Sequence, residues 1–144
     1  MSSITAERFH DISCGHRVHG QGGKCENLHG HNYRVHFEVA GDSVNNQLDD
    51  IGRVLDFGVI KSKLCMWLEE NWDHKFLIWS EDPWAPMIAG IDATTVWTPF
   101  NPTAENMAEF LVNEIAPKQL EGLGCVLIRC TIEETSKCSA TFRL

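Results

Sequence analysis

The stretch CENLHGHNYRVHFEV, residues 25–39, carries the pattern that decides the fold. From Asn32 onward, polar and apolar side chains alternate. Tyr33, Val35, Phe37 and Val39 are apolar; Asn32, Arg34, His36 and Glu38 are polar. A period of two predicts a strand with one buried face, and Gly41 with Asp42 opens a loop after it. Just upstream, residues two apart on an extended chain point the same way. His29 and His31 can therefore present both imidazoles to one ion, with Gly30 leaving room between them. His16, in Cys14-Gly15-His16-Arg17, can close the set from a neighbouring strand. Three neutral imidazoles with an open fourth position describe a catalytic zinc site rather than a structural one. Histidines that simply share a polar strand face are the plainer account. For His29 and His31 alone the two readings balance; with Cys25 and His16 beside them, metal is favoured. His10, His19 and His36 lack this placement and are expected at the surface or behind the ligands.

Working outward, Asp56 can cap a helix running to about Asn71, with Phe57, Ile60, Leu64, Trp67 and Leu68 on one stripe. Thr103 after Pro102 caps a second helix, whose apolar face is Met107, Phe110, Leu111 and Ile115 and which Pro117 should stop. Residues 126–132 are rich in strand formers. Ala140, Phe142 and Leu144 alternate with Thr141 and Arg143 in a last strand, and residues 5–19 hold a first one. The order strand, strand, helix, helix, strand, strand suggests an α+β fold, an antiparallel sheet with helices on one face. Between the helices, the stretch from Trp79 to Asn101 is rich in tryptophan and proline, with a short strand expected near Thr94 to Thr98.

The chain has 144 residues, 43% of them apolar, which fits one domain with a real core. No repeat or linker divides it, so residues 1–144 are read as a single domain. A net charge of -8 and the absence of any basic run disfavour a nucleic-acid surface. No apolar stretch is long enough to span a bilayer, and Met1 to His10 lacks a signal peptide's apolar core, so a soluble, cytoplasmic protein is expected. Six scattered cysteines without a CxxC pair fit reduced thiols, mostly acting as small hydrophobes.

Cys25, four residues before His29, is the cysteine placed to do chemistry. A thiol near a divalent cation has reason to ionise, and its thiolate can take a proton from a metal-bound substrate. An ordinary loop cysteine, or a fourth ligand that closes the site, would explain it as well. Asp73-His74 can form an acid/base pair, although adjacency alone is weak support. Extending the alternation of Val126, Ile128, Cys130 and Ile132 puts Glu134 on the apolar face and Glu133 beside Arg129 and Thr131. A buried carboxylate needs a partner, and a ligand with paired N–H donors would supply one. If the strand instead ends at Ile132, both glutamates are solvated.

Taken together, these residues resemble the 6-pyruvoyl-tetrahydropterin synthase family, in particular its bacterial 6-carboxy-tetrahydropterin synthase branch. The resemblance runs over nearly the whole chain: His16, Cys25 with His29-Gly30-His31, Leu55-Asp56-Phe57, Asp73-His74-Lys75, Pro102-Thr103-Ala104-Glu105-Asn106 and Glu134-Thr135. It implies a T-fold, a four-stranded antiparallel sheet with two helices on one face, oligomerising into a β-barrel. A homohexamer of two trimers would have its active sites at subunit interfaces. It also implies Zn2+ on His16, His29 and His31, and Cys25 as general base. Asp73 and His74 would complete the triad from a neighbouring subunit. Glu134 would anchor the pterin ring, with Thr103 and Glu105 lining the pocket. The implied activity is a zinc-dependent carbon–carbon lyase converting 7,8-dihydroneopterin triphosphate to 6-carboxy-tetrahydropterin, acetaldehyde and triphosphate for queuosine synthesis. The three residues between Cys25 and His29 match this branch; the pyruvoyl enzyme, or a non-catalytic zinc- or pterin-binding T-fold protein, is the alternative. Glu26 leaves a shifted base open. The chain departs from the family's usual Phe-x-Ala-Ala-His at Ile12-Ser13-Cys14-Gly15-His16, and in its longer Trp-rich segment.

Overall fold

The elements run β1 (Thr5–His16), β2 (His29–Gly41), α1 (residues 57–71), β3 (Phe76–Trp79), α2 (Ala85–Ile91), β4 (Val96–Thr98), α3 (residues 104–119), β5 (Cys125–Thr135) and β6 (Cys138–Arg143). The computed structural model describes residues 4–42 and 47–144; Met1 to Ser3, and part of the loop expected after Gly41, lie outside the described residues. One mixed sheet holds all six strands in the order β4-β3-β1-β2-β5-β6.

The β1–β2 pair is its spine, antiparallel from Thr5 opposite Ala40 to His16 opposite His29. Alternation works as expected: Tyr33, Val35, Phe37 and Val39 are at most 1% exposed, and Ile12 and Cys14 are buried on the same face. Asn32 and Arg34 lie on the other face, exposed. β5 and β6 extend the sheet antiparallel beyond β2. One expectation fails in β5. The register shifts where Glu38 meets Arg129 and Val39 meets Leu127, leaving Ile128 unpaired. Alternation resets across such a bulge. Cys125 and Leu127 therefore join Cys130 and Ile132 in the core, and Val126 turns outward.

Helices α1 and α3 cover the apolar face. The Asp56 carboxylate accepts the Gly58 N–H at 2.7 Å, and the Thr103 hydroxyl accepts the Asn106 N–H at 3.1 Å, so both expected caps form. Ile60, Leu64 and Leu68 of α1 pack against Met107, Ala108 and Leu111 of α3 in one core cluster. Phe57, expected on the α1 stripe, stands exposed at the helix start. Each helix contains a π-helical stretch, Lys61–Cys65 and Leu111–Ile115. The wider turn brings Cys65 into the core. In α3 it also relieves the clash that a proline ring makes with the preceding turn. The helix therefore passes through Pro117 and ends at Gln119 instead of stopping at the proline.

The Trp-rich stretch holds the short strand expected of it, β4, together with helix α2, and a further strand, β3, ends where the stretch begins, at Trp79. β3 joins the free side of β1 in parallel, and β4 joins β3 in parallel. Leu77 belongs to the main core, whereas its neighbour Ile78 packs with Ala85, Ile88 and Phe76. Successive strand residues face opposite sides, so α2 covers the other face of β3. The antiparallel four-stranded unit with two helices on one face is thus present, widened by two parallel strands and a third helix. Among the described residues, no helix is long and apolar enough to cross a membrane.

Candidate metal centre and active site

The β1–β2 register builds the site. His16 lies directly opposite His29, and His31 lies opposite Cys14. All three imidazoles therefore emerge on the core-facing side at one end of the hairpin. Their ligand atoms lie within 4.8 Å of one another, and no other Cys, Asp or Glu of the described residues joins the group. Gly30 does not act as expected. A Cβ there would point to the opposite face and meet the Cys14 carbonyl oxygen at 2.9 Å. Glycine is needed for the close approach of β1, not for space between the imidazoles.

Hydrogen bonding sets the tautomers. His16 Nδ1 donates to the Pro102 carbonyl at 2.7 Å and lies 3.2 Å from the Tyr33 hydroxyl; His29 Nδ1 donates to the Asn27 carbonyl at 2.7 Å. A carbonyl only accepts, so Nδ1 carries the proton and Nε2 of each neutral ring is a lone pair. Those two Nε2 atoms face each other at 3.0 Å. Burial pushes the His16 imidazole below its usual pKa, against the Pro102 bond, which works the other way. Burial likewise lowers His31, against the pull of the Glu134 carboxylate. His31 Nε2 is buried with no hydrogen-bond partner among the described residues. Glu134 Oε1 is 3.3 Å away but poorly aligned for a hydrogen bond. Converging lone pairs at this distance call for a cation. Neighbouring ligands on a tetrahedral ion with N-to-metal bonds of ~2.05 Å would sit about 3.3 Å apart. The donor set therefore fits a tetrahedral divalent metal with room for a further ligand.

The other candidate residues fall around this centre. Glu134 lies on the histidine side and Glu133 on the opposite face, where it meets His36 Nε2 at 2.6 Å. Cys25 lies in the 3-10 turn Gly23–Glu26 just before β2 and is partly exposed. Burial pushes the Cys14 and Cys130 thiols up to about 12, and it raises Cys65 and Cys125 too. Those four are packed as inert thiols. The Glu26 carboxylate is engaged, accepting the Gly22 N–H at 2.7 Å and lying 3.6 Å from the Arg17 guanidinium.

Asp73 and His74 are joined at 2.8 Å through His74 Nδ1. Burial opposes ionisation of Asp73, but the Ser13 N–H and His74 outweigh it and hold the carboxyl below its usual range. His74 adopts a left-handed backbone (φ 60°), with its N–H on the Ser13 carbonyl. Its ring is largely exposed and faces a cavity of about 480 Å3 whose rim also includes His31 and Asn32. No hydrogen bond joins Cys25 to this pair among the described residues. Among the described residues, neither Thr103 nor Glu105 makes a hydrogen bond or ion pair with the histidines. The Thr103 hydroxyl caps α3, and Glu105 is exposed in its first turn. The contact from that segment comes instead from the Pro102 carbonyl. Asn101 straps it down by pairing with both the N–H and the carbonyl of His19, at 3.1 and 2.8 Å. Pro102 gave no local signal. Tyr33 did, two residues beyond His31 on the same side of the strand.

A family model for 6-pyruvoyl tetrahydropterin synthase matches residues 4–144. The chain belongs to this family. It is 35% identical over 139 residues to a 6-carboxy-5,6,7,8-tetrahydropterin synthase of Rickettsia felis, covering 94% of this chain and 96% of the relative. A protein of the same name from Haemophilus influenzae is 32% identical, with coverage of 96% and 97%. Among solved structures, an uncharacterized protein of Wolinella succinogenes superposes with a TM-score of 0.84 over 99% of both chains, at 21% identity. The fold is the family's T-fold, and the His16, His29 and His31 cluster lies inside the matched region.

Proposed function

We propose that this chain is a 6-carboxy-5,6,7,8-tetrahydropterin synthase, a zinc-dependent carbon–carbon lyase acting on 7,8-dihydroneopterin triphosphate. Supporting it are the three-imidazole cluster, with its facing lone pairs 3.0 Å apart, and curated relatives of that name matched nearly end to end. His16, His29 and His31 would hold the zinc. When bound, zinc supplies Lewis acidity and a template for the substrate's side-chain hydroxyls.

The chain's own residues do the rest. Glu134, on the histidine side and 28% exposed, accepts two neighbouring N–H groups of the pterin ring. Cys25 removes a proton from the side-chain carbon. Asp73 holds His74 in one tautomer and orientation, and His74 moves a second proton. Its ring is 79% exposed, which suits a dyad serving the Cys25 of an adjoining copy. A homohexamer of two trimers, with sheets joined into a barrel, would bring them together; Thr103 and Glu105 would then line the pocket from the loop beside Pro102. We place this single domain, residues 1–144, in the cytoplasm, on the route to queuosine.

Incubating zinc-loaded protein with 7,8-dihydroneopterin triphosphate tests the reading by mass spectrometry. Formation of 6-carboxy-tetrahydropterin with acetaldehyde is expected. A 6-pyruvoyl product would move the chain to the pyruvoyl branch, and tight pterin binding without turnover would make it a binding protein.

A further inference from the structure

Arg17 is a buried charge that the chemistry above does not use. It follows His16 at the end of β1 and is 4% exposed, and its partner Asp82 is 2% exposed. The guanidinium donates through Nη1 to Asp82 Oδ1, and through Nε to the Glu26 carbonyl at 2.9 Å. Its carbon lies 3.7 Å from the centre of the Trp84 ring. The next residue, Val18, donates its N–H to the Cys25 carbonyl at 2.9 Å. Asp82 is itself fixed, since Oδ1 also accepts the Trp84 N–H at 2.8 Å. The two peptide groups that follow the Cys25 Cα, Cys25–Glu26 and Glu26–Asn27, are therefore tied to Arg17-Val18, and Arg17 is tied to the Trp-rich segment.

The segment that leads into the turn is rich in glycine. Gly20, Gly22 and Gly23 all have positive φ, and a side chain at any of them would touch nothing within 4 Å. A buried cation is costly unless it is fully partnered, and here its partners converge on the cysteine turn. A planar fork that stacks on a ring while donating in two directions cannot be replaced by the single point charge of lysine.

We propose that Arg17, locked by Asp82 and Trp84, is a positioning residue that fixes Cys25 relative to the three histidines. Through it, the Trp-rich segment acts on the reaction without touching substrate. The inference rests on the reading of Cys25 as the base.

The test uses full-length, zinc-loaded Arg17→Lys and Trp84→Leu proteins. Readouts are kcat, KM, zinc content, melting temperature and the iodoacetamide alkylation rate of the Cys25 peptide, with the exposed Cys138 as internal reference. Misplacing a reacting group by about 1 Å can cost about a hundredfold in rate. For Arg17→Lys, kcat should fall by about tenfold or more while KM and zinc content stay within about twofold. Cys25 alkylation should change severalfold against Cys138. In a Cys25→Ala background, Arg17→Lys should cause no further loss. Trp84→Leu keeps the ion pair and should show the same pattern more weakly; it carries the test if Arg17→Lys does not fold. Unchanged Cys25 alkylation and kcat in a folded variant, or additive losses in the double variant, would overturn the proposal. Normal turnover by Cys25→Ala alone would remove the base assignment instead, leaving the alkylation ratio to decide whether the clamp exists.

Discussion

Removing the metal should cost this protein a large and pH-dependent part of its stability. In the apo chain, His16 and His29 present lone pairs to each other at 3.0 Å, and His31 Nε2 is buried without a partner. The Pro102 and Asn27 carbonyls already set the required tautomers of His16 and His29, so a metal meets a largely preformed site. With free zinc at ~100 times its dissociation constant, binding to the native state alone stabilises by about 2.7 kcal/mol. For a chain of 144 residues, at about 3 °C per kcal/mol, the melting temperature should rise by about 8 °C. The apo protein carries a second signature. Burial lowers both His16 and His31 below the ordinary histidine value. As pH falls through about 6.5, the unfolded chain takes up protons that the folded chain refuses. Apo stability is therefore full above that value and declines below it. Urea melts at pH 8, 7 and 6, with and without chelator, measure both effects above the carboxylate range. Identical melts with and without zinc, or apo stability that rises from pH 8 to pH 6, would refute the reasoning.

Changing Cys25 to Ala should leave metal content unchanged and abolish most turnover, which metal analysis and product formation check together; metal loss on the same change would make Cys25 a ligand. A charge-assisted hydrogen bond is worth roughly 1.5–3 kcal/mol, so Glu134→Gln should weaken pterin affinity by about tenfold or more in titration calorimetry. Glu133→Gln, on the other face with His36, should not change it. Gly30→Ala should destabilise by about 1–3 kcal/mol in urea melts, because the new Cβ meets the Cys14 carbonyl oxygen at 2.9 Å; an unchanged midpoint would mean that β1 can give way there.

Local chemistry made much of this protein legible from its residues alone. The alternation in β2 named its buried face, because side chains on a strand change sides at every residue whatever the partner strand is. Asp56 and Thr103 named their helix starts, because a cap needs only its own next turn. His29 and His31 declared a shared side for the same reason, and Glu134 came out on the face where the structure has it.

What tertiary structure decided lies where distant segments meet. The β5 bulge exists only against β2, so no pattern within β5 could show that Val126 turns out and Leu127 in. Pro117 reads as a stop until a π-helical turn makes room for it. The reason for Gly30 lies in a carbonyl on another strand. His16 joins the other two histidines only through the hairpin register, and the Pro102 carbonyl that sets its tautomer is 86 residues away. Such contacts form because the core closes over them, and a backbone carbonyl carries no mark in the sequence of the side chain that will reach it.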